Sequence, residues 1–177
     1  MVLVAPMIAI HDRMLGVNRT LARFYTATAS VVGLATTYVR GGRNEPDDFT
    51  DFETNKLTSD HVRWSRTKAV MEAAPELVSG SPTVGWLRAA LRSSAMLSRP
   101  DYPKYVSVPM LLFAAGADRI VSTQAIEDFA VDLKVGGHIL LPGARHEILQ
   151  EADTIRQRFW AGFDAYMGIA MPTSEIV

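Results

Sequence analysis

Apolar and polar positions change rhythm along the chain, and the changes mark out its elements. Val2 to Ala5 ("VLVA") is a continuous apolar run stopped by Pro6, the pattern of a strand buried on both faces. A loop is expected over 7–14, and Leu15 to Val39 has a mixed, helix-compatible pattern. Arg40 to Asp60 is rich in Gly, Asp, Asn and Thr, as loops are. Asp60 is placed to cap a helix through "HVRWSRTKAVMEAAP". Ser81 as N-cap with Pro82 at the first helical position would start a second helix, with Val84, Leu87 and Leu91 on one face.

From Val108 the texture changes. "VPMLLFAAGAD", Val108 to Asp118, reads as a central parallel strand ending in small residues and an acid. Ser122 or Thr123 can start a helix carrying Ile126, Phe129, Ala130 and Leu133 at helical spacing, with Gly136 and Gly137 as its stop. "HILLPG" is a short strand. The last helix, from about Ala152 to Met167, aligns Ile155, Phe159, Phe163 and Met167 as a stripe to pack on a sheet. This β, α, β, α alternation predicts a parallel sheet with right-handed crossovers. Residues 14–100, mainly helical and without a clear strand, would be a lid or cap inserted into an α/β core formed by residues 1–13 and 101–177.

Composition narrows the class. The 177 residues are 48% hydrophobic, with 18 basic and 19 acidic side chains and a net charge of −1, which fits one soluble globular domain and gives no electrostatic footprint for nucleic acid. The absence of cysteine excludes disulfides, cysteine-based metal sites and a cysteine nucleophile. The N-terminal run lacks a basic region and a cleavage site, so it reads as a strand rather than a signal peptide, and the cytoplasm is the expected compartment. Phe24 to Val39 is uncharged, but its 16 residues include five Thr/Ser hydroxyls and fall short of the about 20 apolar positions a spanning helix needs. It reads as a buried or interface-facing helix, which leaves room for peripheral contact with the inner membrane.

The candidate chemistry lies at strand ends. Asp118 follows one predicted strand and His146 the next, 28 residues on, close to one crossover unit. Neighbouring parallel strands lie about 4.8 Å apart, so one crossover can set a carboxylate beside an imidazole at the edge where open α/β sheets bind ligands. A carboxylate accepting the Nδ1 proton leaves Nε2 as the basic nitrogen, the acid and base of a relay. The blander alternative is that Asp118 caps the following helix and His146 the last one.

"VPMLLFAAGADRIVS", "LPGARHEILQE" and the cap stretch "NKLTSDHVRWSRTKAVMEAAPELVSGSPTVGWLRAALRSS" resemble the C-terminal portion of an α/β-hydrolase of the lysophospholipase L2 and monoacylglycerol lipase type. The resemblance runs over nearly the whole chain, and "GADRIVS" and "ARHEILQE" are its most specific parts. It implies a parallel sheet with flanking helices and an inserted helical cap, Asp118 as triad acid, His146 as base, a lipid-like ester as substrate and no cofactor. It also implies a serine on a G-x-S-x-G turn, and no such turn occurs in the sequence. In the family the elbow comes immediately before the strand that "VLVAPM" resembles, so the nucleophile is expected upstream and the chain alone is expected to lack esterase activity. Ser79, Ser81 and Ser122 are poor substitutes, because none is placed on a strand-to-helix elbow.

Without that preceding strand, "VLVA" would present an open sheet edge that invites self-association. A competing reading follows: a catalytically incomplete remnant that binds a small apolar ligand or a partner protein. Leu87, Leu91 and Trp86, with the Phe24 to Val39 segment, would either line an apolar approach to the acid and base or form the cap's own core. "HEILQ" has Gln150 where a zinc-protease helix needs its second histidine, and no nucleotide-binding glycine motif is present, so no metal or nucleotide is expected. His11 and Asp12 follow the first strand, where they would either line the site or, as the favoured reading, Asp12 would cap a helix; His61 and His138 are expected to be surface residues.

Overall fold

In a computed structural model the described residues are 1–39, 41–42 and 51–168. Three strands, β1 (Val2–Val4), β2 (Met110–Ala115) and β3 (Gly136–Leu141), form a parallel sheet in the order β1-β2-β3. β2 is buried along its whole length, as its unbroken apolar run requires. β1 departs from the pattern expected for it: Val2 and Leu3 are half-buried and Val4 is exposed, because β1 pairs only with β2 among the described residues.

Six α-helices complete the described chain: α1 (Asp12–Leu15), α2 (Arg19–Val31), α3 (His61–Ala73), α4 (Val84–Leu97), α5 (Thr123–Val131) and α6 (Asp153–Met167). Asp60 caps α3 by accepting the Arg63 N–H at 2.9 Å, and Ser122 caps α5 by accepting that of Ala125, both as the sequence indicates. Phe113, fully buried on β2, meets Phe159 of α6 at a ring-centroid distance of 4.4 Å. Gly162 lets α6 come this close, since a Cβ there would meet Ile139 at 2.5 Å and Phe113 at 3.2 Å. Ile155 and Phe163 also pack on the core, whereas Met167, the last residue of the expected stripe, is exposed and Tyr166 packs instead.

Three local expectations are corrected. Helix α4 starts later than the Ser81–Pro82 signal suggests, with Thr83 as N-cap accepting the Trp86 N–H. The reason is tertiary: Val84 and Gly85 donate to the Thr37 and Ala35 carbonyls, and Pro82 accepts from Val39, which keeps Pro82 and Thr83 outside the helix and ties its first turn to 35–39. Gly136 and Gly137 do not stop α5, which ends at Val131; they open β3. Gly136 has φ +147°, and a Cβ there would run into the Met110 carbonyl oxygen, so only glycine permits this strand to start beside β2. At α1 the cap is His11, whose Nδ1 accepts the Arg13 N–H at 3.2 Å, while Asp12 sits in the first turn and pairs with Arg19 at 2.7 Å.

Among the described residues, 14–100 contains helices, turns and an isolated Tyr38–Thr83 bridge but no strand. Asp51 to Asp60, at the end of the expected loop, is turn and bend; Arg40 and 43–50 lie outside the described residues. Helices α2 and α4 pack through small residues, with Ala22, Ala90, Leu91 and Ile10 as the buried cluster and Leu87 against it. No helix among the described residues is long and apolar enough to cross a membrane.

Candidate active site

The register of β2 and β3 places both candidate side chains at one rim. Ala115 pairs with Leu141, and backbone hydrogen bonds continue past the strands from Gly116 N to Leu141 O (3.0 Å) and from Ala117 N to Ala144 O (2.8 Å). Gly116 permits this approach, since a Cβ there would meet the Leu141 carbonyl oxygen and the Pro142 Cα at 3.1 Å. Asp118 is three residues past β2 and His146 five past β3, so the two loops leave the sheet side by side.

The side chains meet. His146 Nδ1 lies 2.8 Å from Asp118 Oδ2, and the Asp118 side chain is fully buried while that of His146 is about a quarter exposed. The other carboxylate oxygen, Oδ1, accepts the backbone N–H groups of Ile120 (2.7 Å) and Val121 (3.0 Å). Asp118 does not cap α5, whose cap is Ser122; its Oδ1 instead closes the turn before that helix, and its Oδ2 faces the imidazole. His146 does not cap α6, whose N-cap is Ala152 without a side-chain hydrogen bond.

The acid's loop is pinned by the chain after β1. Ile10 bridges Val121, His11 N–H donates to Ile120 O at 2.9 Å, and Ser122 N–H donates to Ala9 O at 2.8 Å. Thr123 Oγ1 donates to Ala115 O at 2.6 Å. Asp118 thus cannot turn away from the rim without breaking several backbone bonds. An imidazole with Nδ1 held by a buried carboxylate carries its basic lone pair on Nε2, which suits it to take a proton from a hydroxyl or water and return it to a leaving group.

The histidine's loop carries a residue that the sequence gives no reason to single out. Glu151 is completely buried and accepts hydrogen bonds from the backbone N–H of Arg145 and from Ser59. Its donors are backbone N–H groups and the hydroxyl of Ser59, 92 residues away, so only its place in "HEILQE" marks it. Nearby, Arg63 and Arg156 bond to Asp153 at 2.7 and 2.9 Å and hold its carboxyl below the usual carboxylate range.

The other candidates separate from this rim. Ser122 is spent as an N-cap, and Leu87 and Leu91 belong to the packing between α2 and α4, while Trp86 is exposed. His61 is exposed and meets Phe52 edge-on at 4.8 Å, and His138 on β3 faces Glu127 at 3.7 Å. Among the described residues no group of three or more His, Cys, Asp or Glu could hold a metal ion. A cavity of about 140 Å³ lies between α2 and α4, lined by Ile10, Arg19, Arg23, Leu91, Ser94, Ala95 and Ser98.

With this arrangement, comparison with known proteins is decisive for the family: residues 1–153 match the model of the serine aminopeptidase S33 family. The chain belongs to that family of α/β-hydrolases. A search of curated protein sequences gave no match. By structure, this α/β-hydrolase resembles a monoglyceride lipase from Saccharomyces cerevisiae crystallised with a substrate analogue, at a TM-score of 0.67 and 16% identity over 94% of this chain and 54% of the lipase. The monoacylglycerol lipase of Paleococcus ferrophilus matches at a TM-score of 0.59 and 18% identity, over 96% of this chain and 60% of that one. A carboxyl esterase from Bacillus coagulans gives a TM-score of 0.55 and 15% identity over 85% and 52%. At such identities the likeness speaks for the fold, and the chain spans between half and three-fifths of the length of these structures.

Proposed function

We propose that this α/β-hydrolase chain supplies the acid and base of a serine ester hydrolase acting on lipid-like esters of the lysophospholipid or monoacylglycerol kind. The observation that carries the reading is the 2.8 Å contact between His146 Nδ1 and a fully buried Asp118 carboxylate, made by two consecutive strand-end loops. In the proposed reaction a serine hydroxyl attacks the ester carbonyl while Nε2 of His146 takes its proton. The imidazolium, steadied by Asp118, then protonates the departing alcohol, and water hydrolyses the acyl-serine by the same relay in reverse. Asp118 does not itself become protonated; it fixes the tautomer and stabilises the charged ring.

The serine is proposed to stand on a G-x-S-x-G turn N-terminal to Met1, at the end of a strand lying beside the outer edge of β1. Residues 14–100 are proposed as the cap over the rim. Exposed Phe24, Tyr25 and Trp86 offer apolar surface for an acyl chain or a lipid interface, and the two monoglyceride lipase neighbours support a lipid-like ester.

The test is p-nitrophenyl butyrate turnover and fluorophosphonate labelling by protein expressed with the in-frame codons upstream of Met1. Turnover that His146→Ala removes is the expected result, and the 177-residue chain alone is expected to show neither turnover nor labelling. A stop codon directly upstream without a G-x-S-x-G turn, or turnover that survives His146→Ala, would overturn the reading.

One observation favours a second reading. The outer edge of β1 has no strand partner among the described residues and Val4 there is exposed, so a non-catalytic module joining another polypeptide, or a second copy, at this edge fits the same fold. Concentration-dependent mass by analytical ultracentrifugation, without fluorophosphonate labelling of any form, would favour it.

A further inference from the structure

A carboxylate withdrawn from water persists only where donors replace its hydration, and Glu151 has four such contacts. Oε1 accepts the Arg145 N–H at 2.7 Å and the Ser59 N–H at 3.1 Å, and Oε2 accepts the Ser59 N–H at 3.2 Å and the Ser59 hydroxyl at 2.5 Å. Arg145 is the residue before His146, so Glu151 fixes the peptide unit that leads into the imidazole-bearing residue. Ser59 lies in the turn-and-bend segment just before the Asp60 cap of α3.

Glu151 sits at the centre of a longer seam. Thr58 Oγ1 donates to Gln150 O at 2.7 Å, and the Glu147 N–H donates to Leu57 O at 2.8 Å. The Arg145 guanidinium donates to the carbonyls of Asn55 (3.1 Å) and Thr58 (3.0 Å), and that of Arg63 to the Glu151 carbonyl at 2.9 Å. Every residue of this seam on the sheet side lies between 145 and 151, the loop that carries His146.

We propose that Glu151 is a positioning residue for His146, and that through Ser59 it makes the orientation of the imidazole depend on the docking of residues 55–63. This rests on the reading of Asp118 and His146 as acid and base, and extends it to what holds the base in place. Glu151 touches neither substrate nor the reacting atoms; it acts by restraining the backbone from which the imidazole reaches Asp118.

The test reads the tautomer of His146 directly, from the ¹⁵N shifts of its two ring nitrogens in histidine-labelled protein above the imidazole titration. In the unmodified chain the Nδ1–H form, bonded to Asp118, predominates. Glu151→Ala should move His146 most of the way to the ratio of a free imidazole, while His11 and His138, outside the seam, stay put in the same spectrum. Glu151→Gln keeps one acceptor oxygen and presents an amide where Ser59 donates, so its ratio should fall between the two. Ser59→Ala should shift it in the same direction by less.

If Glu151→Ala does not fold, Glu151→Gln and Ser59→Ala carry the test. A folded variant pair with an unchanged His146 tautomer makes Glu151 merely structural and overturns the proposal, as does an equal shift of all four histidines. A wild-type His146 without an Nδ1–H majority would instead remove the acid and base reading beneath it.

Discussion

The β2–β3 half of the molecule and the α2–α4 stretch bury themselves in opposite ways. Around β2 the chain closes on itself: Leu112, Phe113, Ala114, Ala115, Ile126 and Ile148 are wholly buried, packed by helices and a neighbouring strand on each side. Helix α2 buries only Ala22, Thr26 and Ala29 and turns Phe24, Val31 and Val32 outward, with Phe24 70% and Val31 81% exposed. The central strand is covered on both faces and both edges, whereas the helix pair meets through one narrow seam of mostly small residues and leaves its outer faces in water. Asp118 and His146 are accordingly on loops of the sheet, and among the described residues the proposed cap meets the histidine's loop through the Ser59–Glu151 seam.

That contrast breaks or sharpens under substitution. In the esterase assay proposed above, Asp118→Asn should lower kcat by about 10⁴, because an amide favours the wrong imidazole tautomer, while stability changes little if Oδ1 still closes its turn. Phe113→Ala should cost about 3–5 kcal/mol in urea unfolding, since the cavity it leaves is lined by Phe159 and cannot collapse. Leu91→Ala in the helix pair should cost about 2 kcal/mol, the low end for such truncations, because the small residues around it can close in. A Leu91 value matching that of Phe113 would show the two regions to be equally well packed, against the contrast drawn here.

Smaller effects follow. Gly162→Leu should destabilise by about 1–3 kcal/mol despite better helix propensity, since its side chain must displace Ile139 and Phe113. Phe24→Ser on α2 should stay within about 0.5 kcal/mol in the same measurement, as for other exposed positions. The smallest effect concerns acid pH. The carboxyl of Asp153 is held below its ordinary value of 3.8 by Arg63 and Arg156, so its share of stability is present above that value and is lost as pH falls through the lowered one. Asp153→Asn should therefore lower stability slightly at neutral pH and leave it unchanged below the lowered value, so that the acid limb of the stability curve flattens.

Local chemistry decided much of this protein on its own. The apolar run 110–115, the caps at Asp60 and Ser122 and the Ile155, Phe159, Phe163 stripe are signals of a single strand or helix, written in neighbouring residues. The meeting of Asp118 and His146 was legible too, because one crossover between parallel strands has few ways to return its chain. What the tertiary structure alone decided depends on contacts across long sequence distances: Thr83 rather than Ser81 as a cap, set by 35–39; Gly136 as a strand start, set by the Met110 carbonyl; and Glu151, whose value lies in donors from Ser59, 92 residues away. A backbone N–H leaves no mark in an amino-acid sequence, so a carboxylate satisfied by such donors becomes visible only when the chain has folded around it.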